Sequence, residues 1–258
     1  MKRWISKLYL TLIFLFLYAP IVILMIFSFN TSRSSGHWAG FSLIWYQELF
    51  QDSRMQTAIA YTLVIAVIST VISTIIGTFS AIGIHKLSTK MKAYVLNVNY
   101  LPVISPEIVT AIALMMLFRS LRINFGFGTM LLAHIMFSIP YVIIALLPRL
   151  RVMNPNMAEA AMDLGATPMQ AIFKVVIPEI FPGIIAGALM AFTMSLDDFV
   201  ISYFNTGNGV TNLSIEIYSM ARRGIRPTVN ALATIMVTIV FIVVIIGNNL
   251  SIKRKIKN

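Results

Sequence analysis

Six runs of apolar residues divide the chain: 8–29, 57–84, 93–118, 123–148, 180–204 and 227–252. Each exceeds the roughly 20 apolar residues that carry an α-helix across a bilayer. Runs one, two and six hold no ionisable residue; the third holds only Glu107, the fourth only His134, and the fifth only Asp197 and Asp198. The pattern predicts an all-α integral membrane protein of about six transmembrane helices, a single transmembrane domain over residues 1–258. In the first outer loop Ser42 is placed to cap a short helix through Leu49, and Trp38, Phe41, Trp45 and Tyr46 suit a membrane–water interface. In the last outer loop a second short helix is expected from Leu213 to Arg223, with Gly224 at its C′ position and Pro227 opening the sixth span.

Composition strengthens this reading. Apolar residues make up 58% of the 258, charged ones 11%, and mean hydropathy is +0.85. A water-facing surface on a chain of this length needs roughly 25% charged residues, whereas a lipid-facing one needs none. There is no cysteine, which excludes disulfides and thiolate metal sites, and no His or carboxylate cluster has metal-ligand spacing. The net charge of +11 is distributed between the apolar runs, where it sets topology and meets anionic lipid rather than nucleic acid. Lys2 and Arg3 precede an apolar run too long for a signal peptide, so that run is expected to be a retained first helix. One side of the membrane, holding both termini, the loop at 85–92 and the segment 149–179, carries 13 Lys and Arg; the other carries 7. The positive-inside rule puts the first side, and with it both termini, in the cytoplasm.

The longest cytoplasmic loop, 149–179, holds the sharpest local pattern. Asn154 and Pro155 form a cap-plus-proline start, Gly165 is suited to ending that helix in the left-handed region, Thr167 and Pro168 repeat the start, and Pro178 is expected to end the second helix. Glu159 and Asp163 share a face at i,i+4 spacing, and the alanines between let another backbone approach closely. Glu159, Ala160 and Ala161, then Gly165, then Val175, Ile177 and Pro178 resemble the EAA motif of ABC importer permeases. That resemblance implies the type I (MetI-like) permease fold. It also implies a coupling helix docked on a separate ATPase, with Glu159, Ala160, Ala161, Asp163, Leu164, Gly165 and Pro178 in the contact. No Walker A loop occurs in the chain, so ATP hydrolysis needs another polypeptide.

The intramembrane acids point to cargo. A carboxylate in a span costs roughly 2.5–3.5 kcal/mol on insertion scales and is by default functional. Counting about 1.5 Å per residue outward from Pro182 puts Asp197 in the outer half, at a depth similar to that of Glu107. Pro102 and Pro106 are expected to break or kink the third span. Three acids with no basic residue in the spans fit a cationic substrate; partial solvation at the outer mouth is the competing reading. Ser195 to Gly207, together with Trp38–Tyr46, Ser105–Val109 and Tyr218–Thr234, is similar to the spermidine/putrescine permeases of ABC importers. By that likeness Trp45, Glu107, Asp197 and Asp198 line the substrate path. The likeness implies further partners: a second homologous permease, two copies of an ATPase that bind ATP and Mg²⁺, and an extracytoplasmic polyamine-binding protein. It also implies a bacterial inner-membrane location and no cofactor in this chain. A secondary transporter, the same machine with another cargo, and a pathless structural subunit remain as alternatives. His134 is expected to be packed and hydrogen-bonded rather than a ligand.

Overall fold

The computed structural model describes residues 2–33, 36–154, 156–223, 226–239 and 241. Among these the protein is helical, with one isolated antiparallel bridge between Asn30 and Phe41. The helices are α1 (Lys2–Phe27), α2 (Ile44–Gln51), α3 (Ser53–His85), α4 (Thr89–Ile104), α5 (Glu107–Ser120) and α6 (Phe127–Val152). They continue with α7 (Met157–Asp163), α8 (Pro168–Ala171), α9 (Ile177–Asp197), α10 (Val200–Asn205), α11 (Leu213–Arg223) and α12 (Pro227–Ile239). The chain forms two compact units, Met1–Gln56 with Ile217–Asn258, and Thr57–Glu216.

Four stretches cross a bilayer by length and composition: Ser6–Phe27, Ser53–His85, Phe127–Val152 and Pro168–Asp197. A fifth forms only if α4 and α5 are counted together. Of the expected sixth span, the first thirteen residues are helical, beginning at Pro227 as the sequence suggested. Most of its remainder, the basic C-terminal tail, Pro155 and Gly224 lie outside the described residues.

Two expected spans are not continuous. The third bends by 103° between Ile104 and Glu107. The cause is Pro106, not Pro102, which α4 contains. A residue before proline is driven out of the α region, and Ser105 accordingly has φ −68° and ψ 145°. The fifth, expected over 180–204, ends at Asp197; Asp198 is extended at ψ 125°, and a short new helix, α10, follows.

The segment 149–179 also departs from expectation. α6 runs on to Val152, and α7 begins at Met157 rather than directly after Asn154. Asn154 instead makes an Asx turn, its Oδ1 accepting from Asn156 N at 3.0 Å. Gly165 does end α7 at φ +89°. Thr167 and Gln170 form a reciprocal capping box: Gln170 N donates to Thr167 Oγ1 at 3.3 Å and Thr167 N to Gln170 Oε1 at 3.0 Å. Pro178 does not end the second helix. A π-helical turn over Ile172–Val176, in which Ile177 N donates to Ile172 O, carries α8 into α9 without a gap. A proline removes an N–H and crowds the carbonyl four residues back. The wider turn just ahead of Pro178 absorbs that fault, so the helix runs from Pro168 to Asp197.

In the unit Thr57–Glu216, α6 is the central column, and its apolar face buries Val142, Ile143, Leu146, Leu147 and Leu150. Glycines let its neighbours close on it. A β-carbon on Gly187 would stand 3.1 Å from Leu146 Cδ1, and one on Gly77 of α3 would stand 2.7 Å from Val142 Cγ1. The same core reaches the segment 149–179, where Met153, Ala158 and Ile172 pack against it. The small helix pair is thereby seated on the bundle.

In the other unit, the chain leaving α1 is pinned by polar contacts. Ser28 Oγ lies 2.8 Å from Tyr46 Oη, Asn30 Nδ2 donates to His37 O at 2.8 Å, and Ala39 N donates to Asn30 Oδ1 at 2.8 Å. The expected helix after Ser42 is α2, one residue later than placed. Ser42 Oγ accepts from Ile44 N at 3.2 Å in a serine turn ahead of it.

Candidate functional site

The break in the fifth span builds the site. With Asp198 extended, its carboxylate faces the start of α10 and takes three donors. Ile201 N donates to Oδ1 at 3.0 Å, and Ser202 N and Oγ each donate to Oδ2 at 2.7 Å. This is N-capping by an aspartate, worth roughly 0.5–2 kcal/mol, and Asp198 is only 4% exposed. Asp197, the last residue of α9, points elsewhere and is exposed. The two adjacent acids therefore have different duties. One is consumed by the backbone of the next helix; the other is free to meet solvent.

Glu107 opens α5 at the break in the third span and is exposed. It lies near enough to Asp197, Asp198 and Tyr141 for its charge to interact with all three. Two proline- or aspartate-broken helices thus bring Glu107, Asp197 and Asp198 into one charged neighbourhood, and of the three Glu107 and Asp197 are exposed. Among the described residues, no lysine or arginine lies within ion-pair distance of either. His134 Nε2 lies 3.5 Å from Asp198 Oδ2.

Behind the acids lies a buried polar network. His134, with no exposed surface, places Nδ1 2.7 Å from Ser195 Oγ and Nε2 2.9 Å from Ser202 Oγ. Ser69 of α3 donates to Ser195 Oγ at 3.2 Å. Asn212 Nδ2 donates to Ser202 Oγ at 2.7 Å and to Asp198 O at 3.1 Å, while its Oδ1 caps α11 by accepting from Ile215 N at 2.9 Å. Asn205 Nδ2 donates to Ala111 O of α5 at 3.2 Å, so α10 is tied to the second broken helix as well. Ser195 and Ser202 entered the sequence reading only inside the stretch Ser195 to Gly207, without a role, and Asn212 escaped it. The one signal for Asn212 was its place immediately before the expected helix at Leu213.

Trp45 belongs to the other unit. It is 4% exposed, and its indole N–H donates to Asn30 O at 2.5 Å, which fixes the loop after α1. Of the four interfacial aromatics expected there, Phe41 and Trp38 are exposed and Trp45 is buried.

At the other end of the long helix from Asp197, Glu159, Ala160, Asp163, Leu164 and Gly165 are all exposed and Ala161 is half-buried. Leu164 is 90% exposed, a large apolar side chain left uncovered.

Residues 73–257 match a family described as the inner membrane component of binding-protein-dependent transport systems. The chain belongs to that family. It is 37% identical over 249 residues to the spermidine/putrescine transport system permease protein PotC of Escherichia coli K12, covering 96% of this chain and 94% of that protein. The putrescine permease PotI of the same organism is 39% identical over 240 residues, 89% of this chain and 84% of its own length. A bacterial ABC transporter involved in import of the acidic polysaccharide alginate has the same fold, with a TM-score of 0.70 at 19% identity over 98% of this chain and 96% of that one. The chain is thus a multi-span inner-membrane permease subunit of the spermidine/putrescine permease family, and not itself an enzyme.

Proposed function

We propose that this permease conducts polyamines into the cell as one subunit of an ATP-driven importer, and that Glu107 and Asp197 form the acidic step on the path. The observation that carries the reading is this exposed acidic pair with no basic partner among the described residues. Two uncompensated carboxylates repel each other and need a cation between them; a di- or polyammonium chain supplies it. The relatives named for spermidine and putrescine support the same cargo. Asp198 serves the path as scaffold, through its cap on α10, and Trp45 serves it by holding the outer loop.

The rest of the machine follows the family pattern. A second permease, two ATPases holding ATP and Mg²⁺, and an external polyamine-binding protein complete it, with both termini in the cytoplasm. The knob of α7 and α8 offers Glu159, Ala160, Ala161, Asp163, Leu164 and Gly165 to the ATPase. Pro178 sits behind this contact, in the helix that leads to Asp197.

The test is labelled-spermidine uptake into vesicles holding the whole complex. Asp197→Asn and Glu107→Gln are each expected to lower uptake about tenfold at subsaturating spermidine, the effect of removing one favourable charge pair of about 1.4 kcal/mol. Sulfate and neutral sugars should not compete. Full uptake in the double variant, or competition by anions but not by putrescine, would overturn the assignment.

A further inference from the structure

With His134 neutral, the hydrogen bonds around it run in one direction. Ser202 Oγ gives its proton to Asp198 Oδ2, so toward His134 Nε2 and Asn212 Nδ2 it can only accept. His134 therefore carries its proton on Nε2, and Nδ1 is left to accept from Ser195 Oγ, whose own oxygen receives from Ser69. The chain runs Ser69, Ser195, His134, Ser202, Asp198, and every link is buried.

Its placement matters more than its length. Ser195 lies on the last turn of α9 and Ser202 on the first turn of α10, on opposite sides of the break at Asp198. One imidazole, held on α6, bonds both. A helix broken within the membrane has loose ends unless something fixes both of them. Asp197 lies between the two points that His134 holds.

We infer that His134 is a positioning residue for cargo: it staples the end of α9 to the start of α10 and so fixes the place at which Asp197 presents its carboxylate. The inference rests on Asp197 being on the path, as proposed above. It adds a buried residue that never touches cargo yet sets the affinity for it.

Two measurements on the assembled importer test it. In uptake, His134→Leu is expected to raise the half-saturating spermidine concentration about tenfold and to change the maximal rate less than twofold. Combined with Asp197→Asn, it should add almost nothing to the half-saturation shift of Asp197→Asn alone, because the two act through one carboxylate. His134→Gln, which keeps a donor and an acceptor, should recover part of the shift. A fall in maximal rate with half-saturation unmoved, or penalties that multiply in the double variant, would overturn the inference. The second measurement needs no cargo. The chain lacks cysteine, so Asp197→Cys offers this subunit's single site for a nitroxide. Its spectrum should be immobilised when His134 is present and gain a mobile component in the His134→Leu background. Should His134→Leu not assemble, Ser195→Ala, which cuts one arm of the staple, should give the same mobile component. An unchanged spectrum in whichever background assembles defeats the staple. If Asp197→Asn leaves uptake intact, it is the cargo assignment that fails, and the nitroxide spectrum alone decides the staple.

Discussion

Gly207 has no room for a side chain: a β-carbon there would stand 2.0 Å from Phe125 O. Gly165 has the opposite surroundings, with nothing within 4 Å of where a β-carbon would be, but a φ of +89°. Alanine should harm both sites for different reasons. At Gly207 the outer loop must move off the start of α6, where Thr129 Oγ1 ties Asn205 O at 2.8 Å, and overpacking of this kind costs about 1–3 kcal/mol. Gly207→Ala is expected to lower the unfolding temperature of the detergent-solubilised permease by several degrees. At Gly165 the cost is the left-handed backbone itself, about 1–2 kcal/mol, confined to the knob. Gly165→Ala should leave the unfolding temperature of the bundle within a degree or two while weakening co-purification of the ATPase. Gly165→Asn, which tolerates that conformation better, should restore most of the binding. Equal thermal losses at the two sites would contradict this division.

The helices show what a hydrophobic pattern can and cannot reveal. The bend in the third span was legible because Pro106 acts locally on Ser105, whatever surrounds it. The helix at Leu213–Arg223 was legible for the same reason, since composition changes sharply on both sides of it. The end of the fifth span was not, because residues 199–204 are as apolar as those before Asp197. What ends the helix is a carboxylate turning back to cap the next one, supported by a histidine 64 residues upstream in the chain. The path through Pro178 was misread because proline's usual effect is to stop a helix, and the π-helical turn that accommodates it leaves no mark in the pattern of polar and apolar residues. Of the candidate site, the acids were legible as unpaired charge, and the separate roles of Asp197 and Asp198 became visible only with the backbone between them. The cap on α8 makes an element-level prediction. Thr167→Ala removes the acceptor for Gln170 N and should cost about 1 kcal/mol, loosening the first turn of the long helix. Hydrogen exchange should quicken at residues 169–171 and stay unchanged in α9 beyond Ile180.

Across the whole molecule, the basic residues between spans predict topology, and the absence of cysteine makes topology simple to measure. Lys90→Cys should be labelled by an impermeant maleimide only from the cytoplasmic side, and Arg119→Cys only from outside. The reverse result would place the knob on the wrong side of the membrane for an ATPase. The long exposed apolar surfaces, α1 among them, must meet lipid or a second subunit, so the purified chain is expected to aggregate when detergent is withdrawn.

The uninterrupted helix from Pro168 to Asp197 spans thirty residues, about 45 Å at the usual rise. One end belongs to the knob of α7 and α8 and the other ends at the exposed acid. A beam of that length is a lever: a tilt of about 5° about one end sweeps the other through about 4 Å, more than the width of a carboxylate's grip on an ammonium group. On the function proposed above, a nudge at the motor's surface opens the acidic clasp directly, without any signal being relayed from one side chain to the next.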